Sequence, residues 1–247
     1  ALNKATGDVV WKSAVPGGDA AGYASVVPVE AAGVRQYVAF LAKGLVGVDR
    51  ATGAFLWRFD KTGAGPVNMA TPVAYGDYIY SGGGLNGAGL IKLTAGGGVG
   101  GGAAAGEAKL TPELVYFDQK LPTTSGGTIR VGEYLYGTTA AGLACVEFKT
   151  GKVIWQNKSV GPASVCAAEG RLYVRGENGE VALVDATPDG YRERGRFAPA
   201  GGPAKSNAKA WAYPVVAGGR LYVRDGPSVW CYDVSGAGSA GRPGGAK

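Results

Sequence analysis

The chain opens on Ala1-Leu2-Asn3-Lys4-Ala5-Thr6-Gly7-Asp8-Val9-Val10-Trp11, and the fold follows from how this stretch recurs. Thr-Gly-x-x-x-Trp returns as Thr52-Gly53 with Trp57, and as Thr150-Gly151 with Trp155. The intervals are 46 and 98 residues, the second twice 49, so a middle copy is due near residue 95. Ile91-Lys92-Leu93-Thr94-Ala95-Gly96 stands there as a worn version. Asn3, Asp49 and Glu147 each precede the intact Thr by three positions, and Asp185 and Asp233 continue that series with eroded turns. A second marker keeps the same step: a Gly before a short β-rich run, at Gly33, Gly76, Gly132, Gly170 and Gly219, spanning 186 residues in four intervals. Two markers with one period mean a repeat, and the β-rich runs make each repeat a four-stranded propeller blade.

The motif has a physical role within such a blade. Gly allows a tight turn between the third and fourth strands. The acid or amide before it accepts backbone hydrogen bonds across the turn. The aromatic residue on the outer strand then buries a large area against the neighbouring blade. Trp11, Trp57 and Trp155, with Gly7, Gly53 and Gly151, are therefore structural docking residues.

First strands are expected at 25–29, 71–74, 128–131, 163–167 and 213–216, and fourth strands at 54–59, 114–117, 153–156 and 191–197. The Asn178-Gly179 pair suits a turn with positive φ at both central residues. No amphipathic helix of useful length is present. The segment 94–109 is low in complexity and reads as an inserted loop at a blade edge; 235–247 reads as a disordered tail, leaving 1–234 as one propeller domain. The chain is thus all-β, with about five antiparallel blades. It begins with an orphan fourth strand at 8–12 and stops at Asp233 without one. Either that orphan closes a five-bladed ring, or these are the later blades of a seven- or eight-bladed ring; the second reading is preferred.

Composition agrees and excludes much. Of 247 residues 45 are Gly, 13 Tyr and 5 Trp, which suits short strands and tight turns. With no His, a Ser-His-Asp or Cys-His mechanism and an imidazole pH switch are ruled out. Cys145, Cys166 and Cys231 are too dispersed for a metal knuckle and read as small buried residues, with their disulfide status open. The net charge of +6 lacks a basic run, so no nucleic-acid partner is expected. No stretch is long and apolar enough for a membrane-spanning helix. Gly82-Gly83-Gly84-Leu85-Asn86-Gly87 matches G-x-G-x-x-G in form but precedes a strand where a dinucleotide site needs a helix.

The pattern Ala-x-(Asp/Asn)-x-x-Thr-Gly-x-x-x-Trp, together with Tyr213-Pro214-Val215-Val216-Ala217-Gly218-Gly219-Arg220-Leu221-Tyr222-Val223, resembles the tryptophan-docking repeat of pyrroloquinoline-quinone (PQQ)-like β-propellers over nearly the whole chain. That family includes quinoprotein alcohol dehydrogenases and outer-membrane assembly lipoproteins of the BamB type. The resemblance implies seven or eight blades and a periplasmic or extracellular, bacterial setting. It also raises PQQ and calcium as cofactors. The dehydrogenases use an Asp base, calcium ligands, a stacking Trp and usually adjacent cysteines; adjacent cysteines and an assignable acidic cluster are missing here, so no catalytic or metal residue is assigned.

What remains is a binding or scaffold module whose ligand surface is the channel mouth, with a protein or a glycan as the partner class. The candidate residues there are Lys43, Asn68, Arg175, Lys209, Trp211 and Arg224, with Asn68, Lys209 and Trp211 the foremost. The alternatives are a quinoprotein oxidoreductase with its site partly in other blades, and a BamB-type assembly factor that binds extended segments at a strand edge.

Overall fold

A computed structural model describes residues 1–96, 110–123, 127–200 and 210–236. Its strands form five antiparallel sheets, each a run of neighbours in chain order. The first blade holds β1 (Val27–Ala31), β2 (Val34–Phe40), β3 (Leu45–Asp49) and β4 (Phe55–Phe59). The second holds β5 (Val73–Tyr75), β6 (Tyr78–Gly82), β7 (Ala88–Ala95) and β8 (Leu110–Asp118). In the third are β9 (Thr128–Val131), β10 (Tyr134–Thr139), β11 (Gly142–Glu147) and β12 (Val153–Asn157). The fourth comprises β13 (Ala163–Ala168), β14 (Arg171–Gly176), β15 (Val181–Asp185) and β16 (Glu193–Phe197). The fifth has three strands: β17 (Val215–Ala217), β18 (Arg220–Asp225) and β19 (Ser228–Asp233).

The blades are copies of one another in their hydrogen bonds as well as their order. At the lower end, where strands one and two turn, a backbone N–H near the end of strand three or just past it donates to a carbonyl at or beside that turn. The five bonds are Arg50 to Arg35, Leu93 to Asp77, Phe148 to Glu133, Ala186 to Gly170 and Val234 to Gly219, at 2.8–3.1 Å. The motif acids cap the turns as expected. Asp49 Oδ1 accepts from the Ala51 and Thr52 amides and from the Thr52 hydroxyl, which holds its carboxyl below the usual range. Asn3 does the same for Ala5 and Thr6. Asp185 differs: its turn is lost to Ala186-Thr187-Pro188-Asp189-Gly190, and it pairs instead with Arg194 and Arg171.

Docking between blades follows a shared register. The pairs Gly47 with Trp57, Leu90 with Tyr116, Cys145 with Trp155, and Leu183 with Gly195 each stand immediately before a one-residue shift, a β-bulge. Trp57 is buried among Ile79, Ile91 and Leu93 of the second blade. Trp155 packs with Val184 and Tyr191 of the fourth and donates from Nε1 to the Thr187 carbonyl at 2.8 Å. Truncating a buried Trp of this kind costs about 3–5 kcal/mol. The second blade uses Tyr116, whose hydroxyl donates to the Phe148 carbonyl at 2.8 Å and whose ring lies on Gly151.

Several expectations are corrected. The insertion does not begin at Thr94: Thr94 and Ala95 belong to β7 and pair with Thr111 and Leu110, which carries the β7–β8 ladder on from Leu93↔Pro112. The later part of that insertion, 97–109, lies outside the described residues. Among the described residues the 8–12 strand, which one of the two readings closes on the fifth blade, pairs elsewhere. Val9 bridges Leu2, Val10 N–H donates to the Ala1 carbonyl, and the Ala1 amine to the Trp11 carbonyl, so residues 1–11 fold into their own hairpin. At Asn178-Gly179 only Gly179 takes a positive φ (87°), since the loop is longer than two residues and closes with Gly176 N–H on the Glu180 carbonyl. Ser235 sits in a turn capped by Asp233; 237–247 lie outside the described residues. Apolar clusters join each blade to the next, and none among the described residues joins the fifth to the first.

Candidate binding surface

The upper end carries the loops between strands two and three and the connections between blades. Lys43 lies there, in the β2–β3 turn, with its Nζ donating to the Gly17 and Gly18 carbonyls and its amide held by Asp19. Arg58 clamps the same loop by bonding Asp19 and Asp60, both at 2.6 Å. Lys61 stands over the Phe117 ring at 5.1 Å.

Asn68 is buried completely. Its Nδ2 donates to the Leu41 carbonyl at 2.7 Å and also to that of Ala42, while Oδ1 accepts from the Ala64 amide at 2.9 Å. Its backbone carbonyl takes the amides of Tyr23 and Ala24. Asn68 is thus a structural clamp between the first two blades, turned away from solvent. Gly83 has to be Gly because Asn68 Oδ1 and the Thr62 carbonyl occupy the place where a Cβ would project.

Three of the expected residues lie on the fourth and fifth blades and the connection between them. Arg175, at the end of β14, is fully buried; its Nη2 reaches Asp225 of the fifth blade at 3.1 Å and its Nη1 the Gly179 carbonyl at 3.2 Å. Burial draws its pKa below the usual guanidinium value, and Asp225 works against that shift. Arg175 therefore ties two blades together beneath the surface. Above it, Glu177 Oε1 accepts from Trp211 Nε1 at 2.9 Å, and the Glu177 carbonyl accepts from the Ala210 amide. Ser164 Oγ donates to the Trp211 carbonyl. The indole is thereby fixed while remaining 53% exposed. Arg224 lies on β18 of the fifth blade, exposed, with Nε on the Gly226 carbonyl. Lys209 lies outside the described residues. Asp225 escaped the sequence reading because its partner is 50 residues away; the buried arginine in an apolar strand is the signal that called for it.

This surface offers a fixed aromatic plate and flanking charge, the chemistry of a contact surface. Burial pushes the Cys145 and Cys166 thiols up to about 11, which leaves them protonated and inert. Among the described residues no three Cys, Asp or Glu side chains are placed to share a metal ion.

Antiparallel sheets in series, with an aromatic of one repeat laid on a turn of the next, define a β-propeller of PQQ-like repeats. The family described as outer membrane protein assembly factor BamB matches residues 1–101 and 100–238, and the chain belongs to that family. BamB from Moraxella catarrhalis superposes with a TM-score of 0.62 at 16% identity, covering 93% of this chain and 62% of that one. The computationally designed Ika8 protein gives 0.59 at 9% identity, covering 93% and 63%. These likenesses bear on the fold alone, and the chain spans about three-fifths of either structure's length. No curated protein matches the sequence.

Proposed function

We propose that this propeller is a non-catalytic binding module that engages a protein partner through the upper loops of its fourth and fifth blades. The observation that carries the reading is the exposed Trp211 indole, held by Glu177 above the buried Arg175–Asp225 pair. Exposed aromatic residues on rigid elements bury large area at little entropic cost, so they dominate protein interfaces. The family description supports a role in outer-membrane protein assembly, and with it a periplasmic setting. No helix among the described residues is long and apolar enough to cross a membrane.

A photo-crosslinking residue at position 211, compared with one at position 133 on the lower end, tests the reading in cells. A discrete adduct of one mass at 211 and none at 133 is expected. Equal labelling at both, or none at 211, overturns it. A calorimetric titration with PQQ in calcium is expected to give no heat; saturable one-to-one uptake would restore the oxidoreductase reading.

A further inference from the structure

Four outer strands carry the docking position, but only three fill it. Trp57, Tyr116 and Trp155 each stand before the bulge and face the next blade. In β16 the same place, opposite Leu183, is held by Gly195. Nothing lies within 4 Å of where its Cβ would project. The aromatic residues nearby are engaged elsewhere: Phe197 meets Tyr232 edge to face at 4.8 Å, and Trp230 Nε1 donates to the Ala200 carbonyl at 2.9 Å.

A cleft of about 380 Å³ opens between Leu183, the strand partner of Gly195, and the turn that would receive a docking side chain. Tyr173, Leu183, Val216 and Val234 form its apolar wall. Val234 and Ser235 follow Asp233 as Phe148 follows Glu147 and as Thr187 follows Asp185 at one and two positions. Phe148 and Thr187 supply the carbonyls that accept from Tyr116 and Trp155. The cleft thus keeps the wall and the acceptor side of a docking site whose aromatic side chain the strand lacks.

Its edge adds charge. Arg171 is committed to Asp185, which Arg194 also holds. Glu169, in the β13–β14 turn, is exposed and makes no ion pair or hydrogen bond among the described residues. A carboxylate beside an aromatic-sized slot complements a cation next to an aromatic ring.

We propose that this cleft is a docking site for a partner polypeptide, which inserts a Trp or Tyr side chain flanked by Lys or Arg. The inserted ring takes the place Gly195 leaves open and donates its N–H or O–H to the Val234 or Ser235 carbonyl, while Glu169 pairs with the flanking cation. The site lies at the lower end, so it stands independently of the Trp211 surface.

The test uses the full chain and the dipeptides Ac-Trp-Lys-NH2, Ac-Trp-Glu-NH2 and Ac-Ala-Lys-NH2 as probes, read by amide NMR shifts. Ac-Trp-Lys-NH2 is expected to give saturable shifts at Leu183, Val216 and Ser235, and Ac-Ala-Lys-NH2 none. In Gly195→Trp the strand supplies its own indole, so affinity falls at least tenfold and the melting temperature rises. Glu169→Gln, on an exposed turn, preserves the fold and removes the preference for the Lys over the Glu peptide. No saturable shift in the parent chain, or equal binding in Gly195→Trp, overturns the proposal. Self-association of the parent chain that Gly195→Trp abolishes overturns it too, by giving the cleft to a second copy.

Discussion

Trp11 lies flat against Gly53, one repeat further on, so closely that a methyl group on that α-carbon would overlap the indole ring. Gly53 also holds a positive φ of 74°, so both its backbone and its bareness are needed. Gly53→Ala is expected to cost about 2–3 kcal/mol, the range for strain combined with a steric clash. Urea unfolding measures it. An unchanged midpoint would mean that the hairpin of residues 1–11 is not docked in solution.

Asn68→Ala tests the assignment of that residue as a clamp. Removing it strands the Leu41 carbonyl and the Ala64 amide together, both partly buried. A loss of about 2–4 kcal/mol is expected, since each buried group left unsatisfied costs about 1–3 kcal/mol. A variant as stable as the parent would return Asn68 to the list of ligand candidates.

Tyr116→Phe isolates one hydrogen bond from the packing around it. The ring still covers Gly151, but the Phe148 carbonyl loses its donor. About 1 kcal/mol is expected, well short of a truncation. Burial holds the phenol above its ordinary pKa, so its ultraviolet titration should come later than that of exposed tyrosines and vanish in the variant.

The thiols set a pH window. Cys145 and Cys166 stay protonated in the fold up to about 11, whereas unfolded thiols ionise near 8.5. The native state therefore holds more protons in between. Stability is full below about pH 8.5 and falls as pH rises from there towards 11. Replacing both by Val should flatten the fall between pH 8.5 and 10 in urea midpoints, while buried tyrosines keep the decline above it. At pH 8 a thiol reagent should modify exposed Cys231 and spare the other two until the chain unfolds.

Trp211→Ala separates stability from binding. The indole is half in solvent and gives up one bond to Glu177, so the unfolding midpoint should move little. Crosslinking to a partner from neighbouring loop positions should drop tenfold or more, as at an interface anchor. Retained crosslinking would move the contact surface elsewhere on the propeller.

The blade repeat was legible because each blade is built from contacts between strands adjacent in the chain. The period, the Gly turns, the capping acids and the docking Trp residues all recur locally, and β9 falls where the sequence places it. Side-chain roles were less legible. Asn68 and Trp211 look alike as polar or aromatic residues beside first strands, yet one is sealed between loops and the other faces water. Tyr116 reads as one more strand tyrosine until its ring is found on Gly151 of the next repeat. Arg175 finds Asp225 across a blade boundary, and Gly195 is seen as a vacancy only beside Trp57, Tyr116 and Trp155 in register. Hairpin pairing is short-range and leaves a periodic trace, whereas burial and partnership depend on which blade face arrives opposite. That is a property of stacked sheets, which a single strand's pattern does not carry.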